Sequence, residues 1–370
     1  MKLAVVAGEA SGDLHASEVV RELKKLDPSL TLFGIGGDLL AREGVKLLHH
    51  ASELGIVGLF NVLRHLPMFR RVFRDLMEAI ERERPDVVFL VDYPDFNLRV
   101  ARRCKKLGIP VVYYISPQIW AWRRGRVRHI ERFIDRMIVI FPFEEEFYRR
   151  HEVPVTYVGH PLIEQLAGVR KPARKSGVLR IALLPGSRRM EVASLLPPML
   201  DAVAILRRER QVDAYIIQAP TIDHDELEEI VKKSGVDVPI LPHDRGEGVA
   251  AADVSLSSSG TATLESAILG TPPVVMYRLS RATFVLAQWL VRLTHFSLVN
   301  IVAGKPVVPE LIQHEVNGPR IAEEVRRLVA PGNYENVCAE LAKIRSKLGT
   351  PGASRRAAEE INRLVSGTAQ

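Results

Sequence analysis

Short apolar runs alternate along the chain with longer stretches whose apolar positions recur every three or four residues. The runs at 2–7, 31–35, 86–91, 110–115, 136–141 and 155–158 are rich in Val, Ile and Tyr and are bounded by turn residues, which predicts strands. Between them, 14–26, 69–84, 97–107 and 143–151 carry the helical period. Strand followed by helix, repeated, predicts crossover connections and a parallel sheet buried on both faces.

The pattern pauses at 168–178, a polar, basic stretch punctuated by Gly and Pro that reads as an interdomain linker. It restarts with strands at 179–184, 214–217, 239–241, 254–256 and 273–277. Helices are expected at 190–208, with a kink or break at Pro197-Pro198, and at 225–233, 261–269 and 282–293. Two charged amphipathic helices close the chain within 333–365. The fold class is α/β, with two Rossmann-like, doubly wound domains at 1–167 and 179–340 and a cleft between them. The stretch 341–370 either packs back on the first domain or pairs with a second copy as a homodimer. A chain of 370 residues is long enough for two cores.

In doubly wound sheets, ligands bind beyond the carboxyl ends of the strands, so four strand-end loops carry the candidate chemistry. The first is Gly8-Glu9-Ala10-Ser11-Gly12-Asp13. It lacks the glycine spacing of a dinucleotide fingerprint. It offers N–H groups at a helix start and the Glu9 carboxylate, suited to a phosphate or sugar hydroxyls; Ser11 and Asp13 also suit a helix cap. The second is Val91-Asp92-Tyr93-Pro94-Asp95-Phe96-Asn97. Asp92 ends an apolar strand, where a carboxylate can serve as a general base, while Asp95 or Asn97 suits the cap of the next helix.

The third is Pro185-Gly186-Ser187-Arg188. Gly186 admits a ligand close to the backbone, Ser187 can cap, and Arg188 can fork onto a diphosphate. The fourth is Ser257-Ser258-Ser259-Gly260-Thr261, which opens a helix carrying Glu265 one turn after Thr261. Such a nest suits a nucleoside diphosphate, with Glu265 on ribose hydroxyls. Metal binding is weakly indicated: Asp223-His224-Asp225 fits helix capping better, and no histidine pair has ligand spacing.

Lys and Arg number 51 against 44 Asp and Glu, a formal charge of +7 that suits nucleotide phosphates, anionic headgroups or nucleic acid. Cys104 and Cys338 imply no disulfide framework, which suits a reducing cytoplasm. The apolar start is too short for a signal peptide, with Glu9 and Asp13 following at once. No segment approaches the ~18 apolar residues of a spanning helix. The stretch 55–74 instead sets Phe60, Val62, Leu63, Leu66 and Phe69 beside arginines, as in a helix lying in a bilayer interface; an ordinary core-facing helix pair would read the same way. A second such stretch is 284–296. Trp120 and Trp122 suit either sugar stacking or packing.

Taken together, the chain resembles the lipid-A-disaccharide synthases. The carrying strings are Gly-Glu-Ala-Ser-Gly-Asp at 8–13, Pro-Asp-Phe-Asn at 94–97, Ser-Pro with Trp-Ala-Trp-Arg within 116–123, Leu-Leu-Pro-Gly-Ser-Arg at 183–188, Ser-Gly-Thr-Ala at 259–262 with Glu265, and Asn300 in Ser-Leu-Val-Asn. The resemblance implies an inverting GT-B glycosyltransferase. It would move acylated glucosamine from UDP onto an acylated glucosamine 1-phosphate, peripheral on the inner face of the inner membrane, with no cofactor, catalytic metal or nucleic acid. It implies Asp92 as base, Arg188 and 259–261 as the diphosphate site, Glu265 as ribose holder, and Glu9 and Asn300 near the sugars. His160-Pro161, after Val158-Gly159, departs from the family pattern. The rivals are a UDP-N-acetylglucosamine 2-epimerase, another transferase on a lipid-linked acceptor, and a non-catalytic membrane-surface binder.

Overall fold

A computed structural model describes residues 1–54, 66–120, 127–174, 177–244, 246–279 and 295–368. It contains two compact units: Met1–Pro161 together with the C-terminal stretch from Thr350, and Leu162–Gly349.

The first unit is built on a seven-stranded sheet of order β3-β2-β1-β4-β5-β6-β7. The strands are Lys2–Ala7, Thr31–Gly36, Lys46–His50, Val87–Val91, Val111–Tyr114, Arg136–Val139 and Val155–Tyr157, numbered β1 to β7. Every described pair is parallel. β1 and β4 are apolar and buried throughout except for Lys2, as a sheet covered on both faces requires. The order reverses between β1 and β4, which makes their carboxyl ends the switch point.

The helices that matter here are α1 (Ala10–Leu26), α2 (Asp38–Arg42), α3 (Leu66–Glu83), α4 (Pro94–Lys106), α5 (Val127–Phe133) and α6 (Pro142–Arg149). β3 is absent from the sequence expectation because Lys-Leu-Leu-His-His at a half-buried edge lacks a continuous apolar run. α1 starts at Ala10, so Ser11 and Asp13 lie inside its first turn and do not cap it. The Asp13 carboxylate instead accepts the N–H groups of Gly37, Leu39 and Leu40, at 2.7, 3.0 and 3.2 Å, and so caps α2.

The second unit holds a six-stranded parallel sheet of order β10-β9-β8-β11-β12-β13. Its strands are Leu179–Leu184, Val212–Ile217, Ile240–Leu241, Val254–Ser258, Pro273–Tyr277 and Glu310–Ile312, numbered β8 to β13. Here the switch point falls between β8 and β11. Its helices include α7 (Arg189–Arg207), α8 (His224–Ser234), α9 (Thr261–Ile268), α10 (Leu298–Ala303) and α11 (Asn333–Lys347). α7 runs on through Pro197 and Pro198. β13 is a three-residue edge strand, too short and polar to read in advance. From the linker, Lys171 Nζ reaches Thr271 Oγ1 at 2.6 Å and the Ala252 carbonyl at 2.8 Å, which anchors it in this unit.

The last helix, α12 (Ala353–Thr368), returns to the first unit and packs on α1. Arg356 donates to the Val158 carbonyl at 2.8 Å, and Glu360 accepts from Thr156 Oγ1 at 3.2 Å. The helix expected at 282–293, the membrane candidates Phe60, Val62 and Leu63, most of the 284–296 stretch and Trp122 lie outside the described residues.

Candidate active site

The four strand-end loops singled out above flank the two switch points. In the first unit, Glu9 follows β1 and Asp92 follows β4. Asp92 and Tyr93 both adopt left-handed backbone, with φ of 47° and 50°. Two such non-glycine residues in succession are strained, and the surroundings hold them. The Asp92 N–H donates to the Tyr114 carbonyl at 3.0 Å. The Asp92 carbonyl accepts from Asn97 Nδ2 at 2.7 Å and from the Tyr113 hydroxyl at 2.5 Å. The Tyr93 hydroxyl donates to the Leu54 carbonyl at 3.1 Å. A side chain at residue 8 would enter the Tyr93 ring, with its Cβ 2.6 Å from the ring atoms, so glycine is required there.

Asn97 therefore does not cap α4, which is preceded by Tyr93 without a side-chain cap; its buried amide pins the Asp92 turn instead. That role was not legible, because Asn one turn into a helix reads equally as a cap. Burial, reinforced by the charge of Glu9, pushes the Asp92 carboxyl up to about 6. The Tyr93 N–H and His15 offset part of this rise. Glu9 and Ser11 are exposed at the start of α1.

Glu144, missed in the sequence, is buried behind this turn. It accepts from Trp120 Nε1 and from the Phe141 N–H, both at 3.2 Å. Burial pushes its carboxyl up to about 8. Trp120 packs edge-on against Phe143, at 4.9 Å between ring centres, so its ring serves packing here. His160 is buried against Phe141, and burial depresses its imidazole to about 3, so it is neutral.

In the second unit, Gly186, Ser187, Arg188, Ser259, Gly260, Thr261 and Glu265 all line one cavity of 360 Å³. Gly186 has φ of 121°, and a Cβ there would sit 2.5 Å from Glu191 Oε2, so both conformation and space demand glycine. Thr221 Oγ1 donates to the Ser187 carbonyl at 2.6 Å and pins the loop. Ser187 does not cap α7; Arg188 stands at that position. Arg188 is exposed and meets Glu191 at 2.9 Å.

The first turn of α9 borders the same cavity, with Thr263 Oγ1 donating back to the Gly260 carbonyl at 2.7 Å. Unpaired N–H groups at a helix start, beside an arginine and without a bulky side chain, make an anion cradle. Burial, then the charge of Asp244, pushes the Glu265 carboxyl up to about 7. Glu191, His243 and Asp244 complete the wall and were not foreseen. Asp244 accepts from the N–H groups of Gly246 and Gly248 at 2.8 and 2.7 Å, an Asp-x-Gly turn that the sequence does display.

Asn300, expected near the sugars, is held by its own unit. It is buried in α10, donates to the Val308 carbonyl and Glu310 Oε1, and accepts from the N–H groups of Val307 and Val308. Those four bonds exhaust its amide, so it locks the 305–310 turn. Asp223 accepts the Asp225 N–H at 3.0 Å and caps α8, as expected.

A family model described as lipid-A-disaccharide synthetase matches residues 3–359. The chain belongs to the lipid-A-disaccharide synthetase family. It is 46% identical to the lipid-A-disaccharide synthase of Myxococcus xanthus (strain DK1622), over 98% of this chain and 97% of that one. Among solved structures, it resembles the glycotransferase of kitacinnamycin, with TM-score 0.68, 18% identity, and coverage of 98% of this chain and 99% of that one. It also resembles UDP-GlcNAc 2-epimerase from Neisseria meningitidis, with TM-score 0.61, 15% identity, and coverage of 98% and 100%. At such identities the structures speak for the fold alone. The fold is that of GT-B glycosyltransferases, and the chain is a hexosyltransferase of lipid A disaccharide synthesis that uses a UDP-sugar donor and a sugar-phosphate acceptor. The epimerase reading is not favoured. Among the described residues, no helix is long and apolar enough to cross a membrane.

Proposed function

We propose that this synthase transfers 2,3-diacylglucosamine from UDP to the 6-hydroxyl of 2,3-diacylglucosamine 1-phosphate, with Asp92 as the general base. The observation that supports this most is the strained, over-determined Asp92 turn, which presents a carboxylate of raised proton affinity at a switch point. Asp92 takes the proton from the acceptor hydroxyl as its oxygen bonds to C1 of the donor sugar. The C1–O bond to UDP breaks, the pair of electrons leaves with the diphosphate, and the anomeric centre inverts. In the second unit, Arg188, Gly186, Ser187 and the Ser259–Gly260–Thr261 turn hold the diphosphate, and Glu265 takes ribose hydroxyls. Glu9 and Ser11 line the sugar side of the base.

The test is UDP release from the acylated donor, measured with and without the acylated sugar phosphate. Acceptor-dependent release with a disaccharide product supports the reading. Release without acceptor, or exchange of the sugar C2 proton with solvent, would overturn it.

Glu265→Gln is expected to raise the donor KM about tenfold with little change in kcat, since a charge-assisted hydrogen bond is replaced by a neutral one. The wild-type carboxylate titrates near 7, so donor affinity should weaken as pH falls through that value; in the glutamine variant the inflection should vanish. Initial rates across pH 6 to 8 give both readouts.

The enzyme is also proposed to sit on the inner face of the inner membrane. Phe69 is half-buried against the core of the first unit, next to the exposed Arg70 and Arg71; α3 begins at Leu66. Polar replacement of Phe60, Leu63, Leu66 and Phe69 together should release the protein from vesicles in a flotation assay. Unchanged flotation would place the contact elsewhere.

A further inference from the structure

The first unit carries a second concavity that the transfer reaction does not use. It has a volume of 780 Å³ and lies between α4 and α5. Its cations are Arg102, Lys105 and Lys106 from the end of α4, and Arg128 and Arg132 from α5. Among the described residues, no carboxylate lines it. Lys105 is neutralised by Asp135, which leaves four cations with no carboxylate partner among the described residues. Arg103, the neighbour that faces away, pairs with Glu81. The floor is aromatic: Phe133 meets His129 at 5.8 Å between ring centres and lies 5.6 Å from the Arg132 guanidinium carbon.

Lysines at the end of a helix can be explained by its dipole. That explanation covers Lys105 and Lys106, and Arg132 in the last turn of α5, but not Arg128 in the first turn of that helix, nor the convergence of cations from two helices on one space. Four like charges around one hollow repel one another, and a bound anion of multiple charge removes the cost. The site is also separate from Asp92. That residue precedes the start of α4, whereas Arg102 to Lys106 lie at its far end, roughly 15 Å away at helical rise.

We propose that this pocket binds a phosphate-bearing headgroup, presented by anionic lipid at the membrane surface. The guanidinium and ammonium groups take the phosphate oxygens, and the Phe133 floor accommodates the attached carbon chain. The lipid source rests on the membrane reading above; the phosphate chemistry does not.

The test uses the full chain and an Arg102→Glu/Lys106→Glu/Arg128→Glu variant, whose fold is checked by circular dichroism. An Arg210→Glu/Lys232→Glu/Lys233→Glu variant, which reverses three exposed charges in the second unit, controls for net charge. Binding is measured to vesicles of phosphatidylcholine, alone or with phosphatidylglycerol. Wild type should prefer the anionic vesicles, and the triple variant should lose at least ~30-fold in that affinity while the control loses far less. Equal loss in the control, or none in the triple variant, would overturn the proposal.

A second arm uses inorganic pyrophosphate in an Arg188→Ala background, which weakens the competing diphosphate site. Thermal protection that the triple variant lacks supports the phosphate chemistry even if no vesicle binds, and would then assign the pocket to a free anion. Failure of wild type to bind any vesicle would overturn the membrane reading. If pyrophosphate also gave no triple-sensitive protection, the pocket proposal would fall with it.

Discussion

Asp92→Asn is expected to lower kcat by about 10³, within the range of general-base contributions, while leaving the donor KM nearly unchanged. Asparagine tolerates the left-handed φ of 47° at this position, so the turn survives and the loss reports on the proton acceptor. In the wild type, kcat/KM should rise with unit slope through about pH 6 and then level off, because only the ionised carboxylate can take the proton. In the variant, the residual rate should lose that inflection.

The same substitution should stabilise the protein. A carboxyl whose folded value is raised from 3.8 to about 6 prefers its proton in the folded state, so its ionisation costs stability as pH rises through that window and above it. At ~1.4 kcal/mol per unit, reduced for partial solvent access, the gain on replacement is about 1–2 kcal/mol at pH 7 and none below pH 4. A thermal melt of both proteins at pH 4 and pH 7 checks the sign. Loss of activity without a gain in Tm at pH 7 would mean that Asp92 is not held at a desolvation cost.

Arg188→Ala is expected to lower kcat/KM by about 10²–10³ and to weaken inhibition by UDP, since a fork onto the leaving diphosphate is strongest as charge develops there. Lysine should restore little, because it offers a point charge in place of a planar pair of donors. Arg188 meets Glu191 across the cavity wall at 2.9 Å, so removing the arginine leaves that carboxylate facing the diphosphate. Adding Glu191→Gln to Arg188→Ala should therefore recover about tenfold. Steady-state rates on the four members of this cycle separate the two contributions. Equal rates with and without the arginine would remove it from the donor site.

The strand-and-helix alternation was legible because parallel strands buried on both faces must be nearly all apolar, as β1 and β4 are. The chemistry-bearing loops were legible for a related reason: Asp92 follows such a strand directly, and only a strand end brings a carboxylate back toward solvent. Of the four edge strands, β7 and β10 were read and two escaped. β3 and β13 are short and half-polar, since one side of an edge needs no apolar cover. Asp223 caps α8 as expected, but other capping readings failed. Asp13 and Asn97 carry side chains that suit a local cap, yet each bonds backbone elsewhere, Asp13 on α2 and Asn97 on the Asp92 turn.

By itself, then, the sequence determined what is set by local pattern: element type, the positions of the loops, and the ordered strings that mark the family. Only the tertiary structure decided what depends on strand order. The order 3-2-1-4 in each sheet places the ends of β1 and β4, and of β8 and β11, side by side although tens of residues separate them. That adjacency brings Glu9 close enough to raise Asp92 and gathers Gly186 to Arg188 with Ser259 to Glu265 around one cavity. The folded second unit also commits every hydrogen-bonding group of the Asn300 amide to the 305–310 turn. The partners of Asn300 lie seven to ten residues away, at separations that neither the helical nor the strand period marks, so no local pattern records them.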